Sequence, residues 1–229
     1  MITEKFPYIK LSRKTIEGSR HYTCPDGTWV ASVTTILDRT KAEASVQALK
    51  DWRKRIGHAN AADITKMSAG RGTRLHSFLE KYILTDDIGD SGTNPFSIES
   101  HTMANCIISN GFSKVTEFYG SEISLHFPQL YAGTTDLIGL YEGEIVIIDF
   151  KQSNRKKDES WIDDYFLQLV AYIESHDYMY NTKITRGIIM MCSPPPNMIY
   201  QQFEISGNKL EIYKDKWWDR LEKYYSKIL

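Results

Sequence analysis

Asp136, Asp149 and Lys151 carry the chemistry this sequence offers most readily. Residues 131–140 and 145–151 read as two strands around the turn signal Tyr141-Glu142-Gly143-Glu144. With the turn centred between Glu142 and Gly143, residues whose numbers sum to 285 face each other, so Leu140 meets Ile145 and Asp136 meets Asp149. Carboxylates opposite each other on adjacent strands have Cβ atoms roughly 4.5–5.5 Å apart and repel unless something neutralises them. A divalent cation does so, and hard oxygen ligands on a rigid edge suit Mg²⁺ or Mn²⁺. Lys151 follows Asp149 by two residues, which puts both side chains on one face of the strand. Asp149-Phe150-Lys151 alone also fits a strand end reaching solvent with an ion pair of little worth. Asp136 in register is what favours a metal-assisted site.

The elements around this hairpin must hold it rigid. The run Ile145-Val146-Ile147-Ile148 before Asp149 suggests a strand covered on both faces. Upstream, residues 20–24 and 28–31 flank the turn Pro25-Asp26-Gly27, and Ser32 is a candidate N-cap for a short helix through Leu37. Residues 43–56 and 61–84 carry apolar residues at helical spacing. An acidic, glycine-containing loop covers 85–95, and a helix covers 98–109. From Gly111 the pattern turns β-like, with a strand over 115–126 ahead of the hairpin. Ser160 can cap a helix over 161–180, with Asp163 and Asp164 in its first turn. Strands follow over 184–192 and 198–205, split by Ser193-Pro194-Pro195-Pro196-Asn197. A last helix, 208–228, presents Leu210, Tyr213, Trp217, Leu221, Tyr224 and Ile228 as a packing stripe. This order predicts an α/β (α+β) fold with a mixed central β-sheet flanked by helices. We expect one domain over 1–229, with a mainly helical N-terminal part (1–110) and a sheet-containing core (111–229).

Composition narrows the class. With 229 residues, 41% hydrophobic and 12% aromatic, the chain is not wholly disordered. No apolar run approaches the roughly 20 residues of a membrane span. Residues 1–14 lack the apolar core of a secretory signal. Cys24, Cys106 and Cys192 are widely spaced, which excludes a disulfide scaffold and a four-cysteine zinc or iron–sulfur site within the chain. A reduced, intracellular, cytoplasmic protein is expected. The net charge of −1 hides an asymmetry: residues 41–81 hold 9 basic and 4 acidic groups (+5), and residues 82–149 hold 1 and 10 (−9). Such a split can mark a polyanion-binding surface beside a carboxylate-rich site, or two ordinary solvated faces.

The sequence resembles the PD-(D/E)XK nuclease superfamily. The elements are Gly133-Thr134-Thr135-Asp136 and Asp149-Phe150-Lys151, with Thr135 in place of the proline and Asp as the second acid. Both departures are common in the branch resembling the RecB nuclease domain. That branch adds an upstream helical histidine and a Gln-x-x-x-Tyr after the lysine, here Gly72-Thr73-Arg74-Leu75-His76 and Gln168-Leu169-Val170-Ala171-Tyr172. Ser32-Val33-Thr34-Thr35-Ile36-Leu37, Trp52-Arg53-Lys54-Arg55-Ile56-Gly57 and Arg71-Gly72-Thr73 look like the small single-domain exonucleases, a group that takes in mitochondrial genome maintenance and virus-encoded enzymes.

The resemblance implies a restriction-endonuclease-like core and a metal-dependent DNA exonuclease, acting on single-stranded or free ends in replication, recombination or repair. It implies one or two Mg²⁺ or Mn²⁺ ions held by His76, Asp136, Asp149 and the main-chain carbonyl of Phe150. Lys151 would orient or deprotonate the attacking water or stabilise developing charge, and Gln168 would position the lysine, a water or a phosphate. Glu80 and Glu122 are further acids near the site. DNA contacts are expected from Ser32, Thr34 and Thr35 near a helix start, from Arg53, Arg55, Arg71 and Arg74, and from Trp52 or Tyr172 stacking on a base. Some relatives carry an iron–sulfur cluster, for which this chain has no ligand set. A structure- or sequence-specific endonuclease on the same core and a non-catalytic nucleic-acid-binding module remain the alternatives. No P-loop pattern occurs, so unwinding would need a helicase or single-strand-binding partner. Strand polarity and oligomeric state stay open.

Overall fold

In the computed structural model, residues 1–227 are described. The chain starts with a small antiparallel sheet, β1 (Arg13–Ile16), β2 (Ser19–Thr23) and β3 (Trp29–Ala31). The hairpin expected at 20–31 is its β2–β3 pair. β1 is an addition, and its Arg-Lys-Thr-Ile sequence has no apolar alternation to betray a strand. Ser32 caps α1 (Val33–Arg39) as expected, its Oγ accepting from the Thr35 N–H at 3.0 Å. α2 (Glu43–Ile56) and α3 (His58–Thr85) are parted by Gly57 alone, at φ 87°. Asn94 caps α4 (Pro95–Gly111), whose leading proline is pre-organised for a first helical turn.

The main sheet is built from β4 (Val115–Phe127), β5 (Tyr131–Tyr141), β6 (Glu144–Gln152), β7 (Arg186–Cys192) and β8 (Tyr200–Ser206), in that spatial order. Neighbours are antiparallel except β6 and β7, which are parallel and joined through α5 (Asp163–Tyr180). α6 (Gly207–Tyr225) ends the described chain. The mixed five-stranded sheet flanked by helices is the architecture expected.

One expectation fails locally. Ser160 does not cap α5. Asp158 lies two residues earlier and takes both the N–H and the hydroxyl of Ser160 on one carboxylate oxygen, at 3.0 and 2.7 Å. This Asx turn closes a 3-10 turn at Glu159–Trp161 and delays the helix to Asp163. Asp163 and Asp164 remain in the first turn, where the helix dipole favours them.

Two cores sandwich the sheet. α3 and α4 cover one face, where Leu75, Leu79, Ile83 and Met103 meet Leu137, Ile148 and Phe150. α1, α5 and α6 cover the other, where Ile36, Phe166, Val170 and Trp217 meet Ile138, Ile147 and Ile189. Adjacent Ile147 and Ile148 are fully buried on opposite faces, each worth roughly 1.5–3 kcal/mol, so the apolar run before Asp149 is covered twice. On α6, Leu210, Tyr213, Trp217, Leu221 and Tyr224 are buried, and Ile228 lies outside the described residues. Among the described residues no helix is long and apolar enough to cross a membrane, and the three cysteines are free.

Candidate active site

The turn sets the geometry. Glu142 at φ 50° and Gly143 at φ 87° are both left-handed, as a two-residue hairpin loop matched to strand twist requires. The pairs Tyr141↔Glu144 through Leu137↔Ile148 follow, all summing to 285. The ladder stops one pair short of Asp136 and Asp149. There the Phe150 N–H donates to Asp136 Oδ2 at 2.6 Å in place of a backbone bond. On the other side of β5, Ser121↔Leu137 and Ile123↔Thr135 bracket Glu122 and Asp136, so these two stand at one level. Glu122 itself is at φ 52°, an uncommon conformation for a residue with a Cβ, and makes no ladder pair. Three acids, Glu122, Asp136 and Asp149, thus lie at one level across three strands.

α3 brings His76 to them. Leu75, Leu79 and Ile83 bury one stripe of that helix, and His76 flanks the stripe on the hairpin side. Its Nδ1 is 3.2 Å from Asp136 Oδ1 and 3.9 Å from Glu122 Oε1, and its Nε2 donates to the Phe150 carbonyl at 3.1 Å. Burial opposes the imidazolium, but the Asp136 and Glu122 carboxylates outweigh it and push His76 up to about 10. Burial likewise opposes ionised Asp136, yet His76 and Lys151 hold it below the usual range. Asp149, 1% exposed, is pushed up to about 6 by burial and by Asp136, against the pull of Lys151. Lys151 is raised despite burial, because Asp149 and Asp136 favour its charge.

A relay extends from the lysine. Its ammonium contacts Asp149 Oδ2 as a buried ion pair. Lys151 Nζ donates to Gln168 Oε1 at 3.1 Å, and Gln168 Nε2 donates to the Tyr172 hydroxyl at 3.0 Å. Gln168 and Tyr172, four apart on α5, share the helix face that the relay needs. Tyr172 is 2% exposed, and its ring packs where a Cβ at Gly133 would stand. A buried ring with its hydroxyl engaged cannot stack on a base, which corrects that expectation; Tyr172 holds Gln168 instead.

The residues present fit a divalent ion. One ligand atom from each of His76, Glu122 and Asp136 lies within 4.8 Å of the others, a group able to hold a metal. The group shares His76 and Asp136 with the expected set. Asp149 lies outside it against Lys151, the Phe150 carbonyl accepts from His76, and Glu122 stands within it. The carboxylates open on a cavity of about 200 Å³ that also meets Lys151, Gln168 and Thr34. Six lining residues were not foreseen as site residues: Arg13, Arg20, Tyr22, Val33, Gly133 and Thr134. Period-2 spacing from Tyr22 to Arg20 on the expected strand was the available signal for Arg20, whereas Arg13 needs β1 to be recognised first.

The expected DNA-contacting residues divide. Arg53 and Arg55 are exposed on α2 and Trp52 is half-buried there. Thr34 is exposed at the cavity, whereas Ser32 and Thr35 are buried and spend their hydroxyls on each other and on the Arg20 carbonyl. Arg71 is no free cation: it is buried and donates to Gln152 Oε1 (2.9 Å) and Asn154 Oδ1 (2.6 Å) and pairs with Glu99 (3.3 Å). Arg74 donates to the Phe96 carbonyl at 3.0 Å. Both tie α3 to its neighbours. Glu80 is half-buried, raised by burial and by Glu122, and lines an adjoining groove.

No family model matches the chain. Curated relatives do: a Xenopus tropicalis protein is 28% identical over 213 residues, covering 86% of this chain and 58% of its own length. Its human counterpart is 24% identical over 215 residues, covering 86% and 59%. Both are mitochondrial genome maintenance exonuclease 1. The chain is similar to these exonucleases. It spans about three fifths of their length. A solved Eubacterium rectale structure that carries an exonuclease name matches with a TM-score of 0.50 at 12% identity, over 71% of this chain and 66% of that one. That likeness bears on the fold, and it agrees with the nuclease-like core. The resemblance read from the hairpin motifs is borne out by relatives found over most of the chain.

Proposed function

We propose that the chain is a divalent-metal-dependent DNA exonuclease that hydrolyses phosphodiester bonds at single-stranded ends. The observation that carries this reading is the level of three acids across β4, β5 and β6, with Lys151 against the last of them. Three carboxylates so close cost stability unless a cation serves them. His76, Glu122 and Asp136 would hold Mg²⁺ or Mn²⁺, with Asp149 outside that group against Lys151. When bound, such an ion supplies Lewis acidity toward a phosphodiester oxygen and lowers the pKa of water.

The chain's own groups do the rest. Lys151, held by Asp149 and Gln168, puts a positive charge beside the position where charge develops on phosphate. Gln168, fixed by Tyr172, accepts from that ammonium on its Oε1 and so orients it. His76, donating to the Phe150 carbonyl, orients its Nδ1 toward the acids and fixes the strand segment between Asp149 and Lys151. The double cover on β6 makes this frame rigid, which is what positioning requires. Exposed Arg53 and Arg55 are proposed to give sequence-independent affinity for phosphates.

End-labelled linear DNA and closed circular DNA, each incubated with Mg²⁺ or Mn²⁺, test the mode of attack. Mononucleotide release from linear DNA with intact circles is the expected result. Cleavage of closed circles would replace the exonuclease with the endonuclease reading, and binding without cleavage would leave a non-catalytic module.

A further inference from the structure

The arginines that share the cavity with the acids do not come from the basic segment 41–81. They come from the small N-terminal sheet. Arg13 lies opposite Tyr22 in the β1–β2 register, and Arg20 is two residues from Tyr22 on the same strand. Strand alternation therefore puts Arg13, Arg20 and Tyr22 on one face. The other face carries Lys14, opposite His21, with its ammonium 3.8 Å from the centre of the Trp29 ring. The two faces thus have separate surroundings.

The face with the arginines is fixed over the hairpin. The Tyr22 hydroxyl meets Thr134 Oγ1 at 3.0 Å, two residues before Asp136 on β5. Ser32 bridges Ala132, and Leu11, Tyr22, Cys24 and Val30 pack on Ala132 as a small core. Arg13 and Arg20 line the same 200 Å³ cavity as Asp136, Asp149 and Lys151. Both are exposed. Among the described residues neither forms an ion pair, whereas Arg71, Arg186 and Arg220 all do. Arg13 also lines an adjoining groove of about 380 Å³, with Lys10 and Ser12 on the sheet side and Glu80 and Glu122 on the other.

We propose that Arg13 and Arg20 form a phosphate clamp that binds the diesters flanking the scissile one, and that the substrate strand runs from the cavity into the groove beside Lys10. The placement suits an anion. Two unpaired guanidiniums, rigidly based and sharing a wall with the acids, face a space wide enough for a polynucleotide backbone. Glu80, which lines the groove, repels phosphate, which keeps the backbone on the arginine side. The proposal rests on the nuclease reading.

The test uses the wild-type chain, Arg13→Ala, Arg20→Ala, Arg13→Lys and the double alanine variant. Binding of a fluorescent oligothymidylate is measured by anisotropy in Ca²⁺ over a range of salt, and steady-state kinetics in Mn²⁺. Each alanine variant should weaken binding roughly tenfold and lower the salt slope by about 0.7, the value for one phosphate contact on a single strand. KM should rise with kcat little changed, Arg13→Lys should recover part of the affinity, and melting temperatures should match wild type, since both side chains are exposed. Unchanged salt slopes in variants of an active wild type would overturn the clamp alone. A wild type that neither binds nor cleaves would overturn the clamp and the nuclease reading together.

Discussion

Gly133→Ala probes the relay behind Lys151 without touching any acid. A Cβ at Gly133 would stand 2.6 Å from Tyr172 Cε1, 3.2 Å from its hydroxyl and 3.3 Å from Cζ. Optimal carbon contacts begin near 3.5 Å, so the ring must retreat by about 1 Å. Tyr172 is buried and cannot swing into solvent. Its hydroxyl now meets Gln168 Nε2 at 3.0 Å, and a shift of that size breaks the bond or drags Gln168 from Lys151. Overpacking of this kind costs about 1–3 kcal/mol of stability. Losing a hydrogen bond to a charged group costs about 1.5–3 kcal/mol, roughly 10- to 150-fold in kcat if expressed fully in the transition state. Urea unfolding and nucleotide-release kinetics on Gly133→Ala, Tyr172→Leu and the double variant read both effects. Removing the ring removes the clash, so the double variant should be about as stable as Tyr172→Leu alone, a coupling of at least about 1 kcal/mol. A Gly133→Ala protein with wild-type stability and kcat, or strictly additive stabilities, would contradict the contact and the relay built on it.

Arg71→Ala should cost about 3 kcal/mol of stability, because Gln152, Asn154 and Glu99 lose a buried charged donor, while the salt slope of DNA binding stays at the wild-type value. A lowered slope with unchanged melting temperature would return Arg71 to the DNA surface. Burial holds His176 down at about 4, from an ordinary 6.5, so the folded chain keeps it neutral while the unfolded chain protonates it. Between those values the unfolded state binds more protons, and stability should fall as pH drops from 6.5 to 4, by up to about 3 kcal/mol from this group. Urea unfolding across that window should show a flatter dependence in His176→Gln, and an unchanged slope would assign the acid sensitivity to other groups.

The hairpin was readable because its information is local. A turn needing two left-handed residues and a period of two fix which side chains face each other, and Asp136, Asp149 and Lys151 follow from that register. Gln168 and Tyr172 were reached through the Gln-x-x-x-Tyr resemblance, and helical spacing on α5 then puts them on one face. Glu122 was harder to place. Its standing opposite Asp136 depends on how β4 pairs with β5, through a backbone at φ 52° that no residue pattern announces. Charge counting found the basic segment but not its partners. Arg71 and Arg74 hold α3 in place, while Arg13 and Arg20, in a segment of net charge +2 (6 basic and 4 acidic groups over 1–40), reach the cavity through β1 and β2. Ser160 failed as a cap because a competing acceptor, Asp158, sits two residues before it.

The decisive measurement is the initial rate of nucleotide release from end-labelled single-stranded DNA in Mn²⁺, for wild type and Asp149→Ala, with chelator as the blank. A metal-assisted site built on the acid level predicts a fall of about 10³-fold or more in Asp149→Ala, some 4 kcal/mol of transition-state stabilisation, and no release in chelator. Equal rates for the two proteins, or release that persists in chelator, would contradict it.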